Sequence, residues 1–429
     1  MVKLRPFPVL SPQRVVQGPS RLGGARSALL PMRPRPEPQE LLSSWLFRLA
    51  QANSQKLHSL SRLIFGERQL WNRDIDSMAG DEVLAALERA TGVNADVLRL
   101  HTLPSLEGRV YAHHTANSST PWVLHLGIYH RTRRHCGLQY CPQCLGERPA
   151  YLLPWRLSIS VVCPVHGCVL HAACPACGVP VVPHRVDMAA HLSKSFPTRF
   201  PHTRCHACEV ALASAPTVAA PAAVVAWQAV IHAAIAGDGW VQVQGVGAVP
   251  LTEYLVVARL WLTLLTFGRR AERLRTLLGM PVLAQSEPRV RSFDVLDVRT
   301  RLAAIEHLIT LFDGWPERVT AWSRAARLRR TILLQDMQAP PEWYLDALKP
   351  LEYVNPRRPL TGPLSWEELL SHAQQGGRRA RLLVAYGEGR PVREVARHFG
   401  IAPRTVRDLV TRFNQGRPEG PARKTSSFE

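Results

Sequence analysis

The sequence predicts a mostly α-helical, multidomain protein with a helical amino-terminal unit, two tandem cysteine-rich ribbons that contain short β-strands, and an α-helical carboxyl-terminal region that ends in a helix-turn-helix. Three observations support this fold class. Helical spacing of apolar residues covers most of the chain, four closely spaced cysteine or histidine pairs lie in its middle, and a bihelical pattern lies near its end. A chain of 429 residues, 46% of them hydrophobic, can form several packed domains.

Changes in composition divide the chain into seven segments. We expect a disordered basic extension over residues 1–36, the helical amino-terminal unit over 37–135, a double ribbon over 136–210, a linker over 211–224, a helical domain over 225–375, a helix-turn-helix domain over 376–413 and a disordered tail over 414–429. The first segment has seven Lys or Arg residues and no acidic residue, and Pro and Gly interrupt it, so it has too little apolar surface to fold. One interpretation of this segment is that translation starts at Met32.

The first predicted helix begins near Leu41, and Trp45, Leu46 and Leu49 recur at helical spacing along it. Two further helices are predicted in the same unit, over residues 57–65 and 81–91. In the ribbons, residues 155–162 and 168–172 have the character of short strands. Beyond the linker, prolines separate runs with helical periodicity, which predicts helices over residues 251–267, 271–278, 298–312, 319–337 and 366–373.

Four pairs of potential metal ligands follow one another between residues 141 and 208. Each pair has two intervening residues, a spacing at which a tight turn directs two ligands toward one ion. The pairs are Cys141 with Cys144, Cys163 with His166, Cys174 with Cys177, and Cys205 with Cys208. Eight ligands complete two tetrahedral sites, so the sequence predicts two tandem structural zinc ribbons; a catalytic zinc ion would keep one position for water.

Two assignments of the pairs to ions have the same ligand count. The sequential arrangement joins the first pair with the second and the third with the fourth, whereas the crossed arrangement joins the first with the third and the second with the fourth. We favour the sequential arrangement because it closes smaller loops. Cys136 and Cys168 are left over and are expected to be small buried residues, although Cys168, His171 or His206 could replace one of the ligands.

The carboxyl-terminal pattern is that of a helix-turn-helix. A helix that ends at Gly387 precedes a helix over residues 392–399, a turn that contains Gly400, and a final helix that begins with Pro403. The final helix would lie in the major groove of double-stranded DNA, where Arg404 and Arg407 could reach base edges. Its outward face also offers Thr405, Thr411 and Arg412, and the first helix offers Arg378, Arg379 and Arg381 for phosphate contacts.

The overall charge favours the same partner. A formal net charge of +20, mostly from arginine, makes nucleic acid the first partner to consider, because the planar guanidinium group suits phosphate. The longest apolar run, residues 255–267, is too short to cross a bilayer, so no membrane span is expected. Cysteines at metal spacing, without a secretory signal pattern, indicate a reducing compartment, and we expect a cytoplasmic, nucleoid-associated bacterial protein.

Several of these motifs together resemble the TniQ family of transposon target-selection proteins. The similarity covers roughly residues 33–180 and rests on the helix with Ser44 and Trp45, on the Tyr140-Cys-Pro-Gln-Cys-Leu145 knuckle, on Trp155 ahead of the pair at Cys163, and on the third pair. The resemblance implies an adaptor without chemistry of its own, which engages an AAA+ ATPase regulator and, through it, a DDE transposase. It also implies that a homodimer is one form the protein could take.

Two other classes of protein were weighed against an adaptor. An enzyme would need a cluster of carboxylates or an activated nucleophile. Asp74 and Asp76 are close in sequence, but no third carboxylate accompanies them at a convincing position, and we expect them to cap a turn. We therefore predict no enzymatic activity. A zinc-containing, sequence-specific transcription regulator is the alternative, because it would use the same helix-turn-helix.

Overall fold

Helices make up most of the described chain, as the sequence predicts, and the strands are short. The structure is a computed structural model that describes residues 29–116, 119–129, 132–188, 201–277, 279, 292–335, 337–351 and 360–416. The chain divides into two units, Met1–Lys349 and Pro350–Glu429. The expectations for residues 1–28 and 417–429 lie outside the described residues. The disordered tail predicted from residue 414 begins too early, because Asn414 is still in the last described helix and its side chain accepts from the N–H of Thr361.

The first unit contains thirteen helices and six strands in its described part. The helices are α1 (Leu42–Ala52), α2 (Leu57–Phe65), α3 (Ile75–Met78), α4 (Asp81–Thr91), α5 (Ala95–Arg99), α6 (Pro142–Glu147), α7 (Ala222–Ala236), α8 (Leu251–Thr266), α9 (Gly268–Leu277), α10 (Val298–Phe312), α11 (Glu317–Ala325), α12 (Arg330–Leu333) and α13 (Glu342–Leu348). The strands form three antiparallel pairs: β1 (Ile128–Tyr129) with β2 (Thr132–Arg133), β3 (Val162–Cys163) with β4 (Cys168–Val169), and β5 (Trp240–Val243) with β6 (Gly247–Pro250).

Helix α1 is buried on nearly every side and organises the amino-terminal core. Its apolar residues pack with those of α2, α4 and α5 in one cluster. Trp45 is fully buried and donates from its ring nitrogen to the carbonyl of Pro34 at 2.8 Å. Ser44 donates to the buried Glu40 carboxylate at 2.9 Å and accepts from the backbone N–H of Tyr151 at the same distance. The Ser-Trp motif therefore ties α1 both to the chain before it and to the ribbon region.

The predicted disordered extension is too long at its carboxyl-terminal end. Residues 29–36 pack against the helices: Leu30 is buried, and its N–H donates to the carbonyl of Ala90 at 2.8 Å. The side chain of Asn53 also bonds both the N–H and the carbonyl of Met32. The composition of this segment does not indicate such packing, because a single buried leucine hardly changes the composition.

A buried charge cluster joins the amino-terminal helices to the ribbon region. The guanidinium of Arg156, which is 1% exposed, donates from Nη1 to Asp74 at 3.0 Å and lies 3.4 Å from Asp76. Asp76 in turn accepts from the N–H and the hydroxyl of Ser43, each at 2.8 Å. Asp74 precedes α3 but makes no side-chain cap there. The expectation that these two acids cap a turn is therefore wrong, because their oxygens bind a buried arginine and the start of α1.

The two acids of this cluster have opposite pKa shifts. Burial, with the charge of Asp74 nearby, raises the pKa of Asp76 to about 6. Burial also acts on Asp74, but the Arg156 guanidinium outweighs it and holds the pKa of Asp74 below its usual range. The two carboxyl groups therefore have different pKa values, and Asp76 takes up a proton before Asp74 as the pH falls.

A second buried arginine joins α10 to the ribbon region. Arg301 is 1% exposed and donates to the carbonyls of Leu296 and Ser158 and to the side-chain oxygen of Gln139. Gln139 donates onward to the carbonyl of Ser160 at 2.9 Å. Because an unpaired buried charge is costly, these oxygens fix the position of α10 relative to the strands around the first cysteine pair.

Three further predicted segments differ from the structure. Of the strand predicted over residues 155–162 only Val162 lies in a strand, and Leu153–Arg156 form a short 3-10 helix. The predicted linker packs against the ribbon, since the N–H of Val169 donates to Val218 and the N–H of Ala220 donates to Gly167, and α7 already begins at Ala222. The single helix predicted over 319–337 is divided into α11 and α12. Arg327 has a φ of +54°, and this left-handed residue ends the first helical run.

The second unit has four helices in its described part: α14 (Trp366–Gln374), α15 (Arg378–Gly387), α16 (Val392–His398) and α17 (Pro403–Asn414). A capping box of Ser365 and Glu368 begins α14. Leu369 of α14 belongs to the same apolar core as Leu382, Val395 and Val406. The unit therefore begins before residue 376, where the sequence places the boundary of the helix-turn-helix.

We predict that Asp76→Asn changes how stability depends on pH. Between about pH 4 and pH 6 the folded protein holds a proton on Asp76 that the unfolded chain has released, so this group destabilises the fold as the pH rises through that window. Removing it should increase the free energy of unfolding of the variant relative to the wild type by on the order of 2 kcal/mol across the window. Urea unfolding at fixed zinc concentration measures this difference, and the exposed Asp96→Asn is the control. If the free energy of unfolding changed with pH in the same way in the wild type and in Asp76→Asn, the prediction would be contradicted.

Candidate metal centres and nucleic-acid interface

The first candidate metal centre brings together Cys141, Cys144, Cys163 and His166, whose ligand atoms all lie within 4.8 Å of one another. Pro142 begins α6, so Cys141 stands before its first turn and Cys144 within it. Cys163 ends β3, and the next turn returns to β4 through Gly167, which has a φ of +60°. A helix start and a hairpin thus each direct two ligands toward one point.

The distances within this group fit a four-coordinate ion. The sulfurs of Cys144 and Cys163 are 3.6 Å apart, and Nδ1 of His166 is 3.1 Å from Cys144 and 3.6 Å from Cys163. A zinc–sulfur bond of about 2.3 Å requires ligand separations of about 3.8 Å in a tetrahedron. Three thiols and one imidazole are also a donor set that zinc prefers, so the residues fit that metal.

Glu147 orients the histidine of this group. Its carboxylate lies 2.9 Å from Nε2 of His166, which leaves Nδ1 turned toward the three sulfurs. Although burial opposes it, the hydrogen bonds to Glu147 and Cys163 raise the pKa of His166 above its ordinary value. The sequence analysis did not single out Glu147. Its position one turn after Cys144 is the only feature of the sequence that indicates this role. An exposed acidic residue on a short helix is common, so that position alone does not identify it.

The second candidate metal centre brings together Cys174, Cys177, Cys205 and Cys208, again with all ligand atoms within 4.8 Å. The Cys174 and Cys208 sulfurs are 3.5 Å apart, and the Cys177 and Cys205 sulfurs are 3.6 Å apart. The two turns have the same form. In each, the first cysteine donates its N–H to the residue five positions on, and the residue after the second cysteine, Gly178 or Glu209, has a positive φ.

Both groups have the sequential arrangement of pairs, and the crossed arrangement is not formed. The leftover residues lie elsewhere. Cys136 is exposed, so the expectation that it is buried is wrong, whereas Cys168 is buried as expected, 3.6 Å from Cys141 and outside the group of four. His171 stacks on Tyr140 and bonds the carbonyl of Pro216. All nine cysteines are free thiols.

The helix-turn-helix of the second unit has the predicted elements. The turn between α16 and α17 contains Gly400 with a φ of +62°, and the N–H of Ile401 donates back to Ala396 at 2.9 Å. Val406 and Val410 face the core of the unit. This burial leaves the opposite face of α17 to solvent, where the predicted DNA-contacting residues stand.

The predicted DNA-contacting residues are mostly exposed. Arg404, Thr405, Arg407 and Arg412 are exposed on α17, and Thr411 is half-buried. The Arg404 side chain is 90% exposed and lies 4.0 Å from Asp408. On α15, Arg378, Arg379 and Arg381 are exposed. Arg378 also donates to the carbonyl of Phe399 at 2.7 Å, so it braces α15 against the end of α16.

The described part of the chain has no helix with the length and apolar character needed to span a bilayer. The two ligand clusters and the exposed basic helix are features of a multidomain DNA-binding protein with two sites that could hold metal ions. Residues 31–170 match the model of the TniQ family, and residues 375–422 match that of the homeodomain-like domain. No curated protein matches the chain. The chain therefore carries a TniQ domain, as its motifs indicate, and the two matches support a DNA-binding, transposition-associated protein.

We predict that Cys144→Ala removes one of two bound zinc ions and unfolds the ribbon region. Structural zinc contributes on the order of 10 to 16 kcal/mol of apparent free energy to folding, far more than a thiol contributes by packing. Metal analysis and thermal unfolding of the purified protein measure both effects. Cys168→Ala is the matched control, because this thiol is buried beside the same group. Two zinc ions in Cys144→Ala and one in Cys168→Ala would show that the wrong thiol was assigned.

We predict that Glu147→Ala weakens zinc binding at the first centre about tenfold, because partners that orient a ligand typically change metal affinity by that order. Competition with a chromophoric chelator measures the affinity of each site. The second centre is an internal control, since Glu147 contacts the first centre through His166. Equal affinities in variant and wild type would mean that His166 needs no such orientation.

Proposed function

We propose that this protein is a non-catalytic adaptor in DNA transposition, which helps select the target site and links it to an AAA+ ATPase regulator and a DDE transposase. The observation that carries the proposal is the presence, in one chain, of a TniQ domain and a helix-turn-helix with an exposed basic helix. The first indicates transposition, and the second supplies direct contact with double-stranded DNA.

The DNA contact is proposed to follow the ordinary docking of a helix-turn-helix. Helix α17 would enter the major groove with Arg404 and Arg407 toward base edges, and Thr405, Thr411 and Arg412 beside them. Arg378, Arg379 and Arg381 would hold phosphates and set the register. The described residues 376–416 contain nine arginines and three acidic residues, and this excess of positive charge supports attraction to the DNA backbone.

Zinc is proposed as the metal of both centres, held by Cys141, Cys144, Cys163 and His166 and by Cys174, Cys177, Cys205 and Cys208. Both donor sets are complete without water, so each ion would be structural. Thiolate ligands need a reducing compartment, which supports a cytoplasmic location near the nucleoid. Asp74 and Asp76 are occupied by Arg156 and Ser43, which supports an adaptor without catalysis of its own.

We predict that the full chain protects a specific DNA site and retains a candidate AAA+ ATPase encoded beside it. Footprinting locates the site, and a pull-down with and without DNA measures the association. Arg404→Ala should reduce discrimination between the site and unrelated DNA by about 1 to 3 kcal/mol, because a base contact is lost. Arg379→Ala, a phosphate contact in this proposal, should weaken binding to all DNA alike.

The outcomes separate the adaptor from a transcription regulator. A footprint without ATPase association would favour the regulator, which needs the same helix-turn-helix and no ATPase. Strand transfer by the purified chain alone would contradict a non-catalytic role. If the protein also forms a homodimer, sedimentation should show it with and without DNA.

A further inference from the structure

A cleft of about 600 Å³ opens on the surface of the first unit, and none of its lining residues is a ligand in either metal group. Its sides are the end of α2, the loop after it, and the short helical segment that begins at Pro183. The side chains that matter here are His58, Arg62, Arg68, Trp71, His184 and Arg185. The cleft is thus lined by three arginines and two histidines, and Glu67 is the acidic residue among its lining residues.

The arginines differ in how their charge is balanced. Arg62 pairs with Glu67 at 3.1 Å and Arg68 pairs with Glu82, but all four side chains are more than half exposed, so these pairs are weak. Arg185 has no carboxylate within ion-pair distance among the described residues. An additional arginine, Arg133, is buried behind Trp71 and donates to the carbonyls of Trp71 and Arg73 at 3.1 Å and 3.0 Å. Asp74 and Asp76 lie near Arg133 and offset its charge, so the excess of positive charge is that of the lining residues, three arginines against one glutamate.

The inner wall of the cleft is rigid. The ring of His184 stacks on Trp71 with centroids 5.4 Å apart and an interplanar angle of 22°, and Trp71 donates from its ring nitrogen to Ser61 at 2.9 Å. Burial, and then the neighbouring cations Arg133, His58 and Arg185, lower the pKa of His184 to about 3. The ring is thus neutral at physiological pH, mainly because it is buried.

The geometry of the cleft limits the class of ligand that it can bind. Proteins that hold single-stranded nucleic acid offer aromatic faces on which bases stack. Trp71 is only 8% exposed and His184 covers one of its faces, so it offers no such platform. Ten of the thirteen lining residues have polar or charged side chains, so the cleft offers few apolar side chains to an apolar peptide. What remains is a rigid, positively charged cleft that is suited to the phosphates of a duplex.

We propose that this cleft binds the phosphate backbone of double-stranded DNA and gives the first unit a DNA contact of its own, separate from the helix-turn-helix. The inference rests on the proposed function in that the protein acts on duplex DNA. Two contacts in one chain raise the effective concentration of each for the same DNA molecule. The full chain then protects a longer stretch of DNA than the second unit covers.

The test measures how the affinity of the full chain for a labelled duplex of mixed sequence depends on salt. Arg185→Gln should lower the slope of log affinity against log salt by about 0.9, and Arg62→Gln with Arg185→Gln by about twice that, because each lost phosphate contact releases one fewer counterion. Arg99→Gln is the control, since Arg99 is an exposed arginine of the same helical unit that pairs with Asp81 at 2.8 Å. Its slope should equal that of the wild type.

Further variants separate the causes of each result. Arg185→Lys keeps the charge and should keep the slope, and unchanged zinc content and unfolding temperature exclude a folding defect. The same series in an Arg404→Ala/Arg407→Ala background distinguishes the two proposals. If the helix-turn-helix does not contact DNA, these two substitutions leave the affinity for DNA unchanged. The cleft variants should still lower the slope in that background. Equal slopes for Arg185→Gln and Arg99→Gln would overturn the cleft proposal, and so would an Arg185-dependent preference for RNA over duplex DNA.

Discussion

Four ligand atoms held within 4.8 Å of one another are a severe constraint on a folded chain. Thiols at such distances repel one another once they ionise, and burial removes the water that would screen them. A bound cation reverses the sign of that energy and turns the cluster into a cross-link. In the first group such a cross-link would join α6 to the β3–β4 hairpin.

Two buried arginines connect other parts of the first unit to the region around the first ligand group. Arg156 reaches from the ribbon region to the acids before and within α3, and Arg301 reaches back from α10 to the strands and loops near Gln139. A buried charge is favourable only when its partners are placed well, so each arginine specifies one arrangement more strongly than an apolar residue would. The amino-terminal helices and the helices after the ribbons are therefore both tied to the region of the first candidate metal centre.

The parts that were predictable from the sequence are those set by local spacing. The helices at 57–65, 81–91 and 298–312, the four ligand pairs and the helix-turn-helix all follow from residues close together in the chain. The partners of Arg156, Arg301 and Glu147 were not predictable, because a side chain's sequence neighbourhood does not show which distant oxygen it will meet. The break at Arg327 and the β5–β6 hairpin were missed for a related reason: neither has the Gly-Pro or Asn-Gly signal that marks such turns most clearly.

The two proposed metal ions are central, because they would cross-link the turns and strands of the ribbon region. The most direct measurement is an anomalous difference map at the zinc absorption edge from crystals of the full chain. The account predicts two peaks, one about 2.3 Å from the sulfurs of Cys141, Cys144 and Cys163 with Nδ1 of His166 as fourth ligand, and one at the same distance from the four sulfurs of the second group. A single peak, or ligands exchanged between the groups, would contradict it.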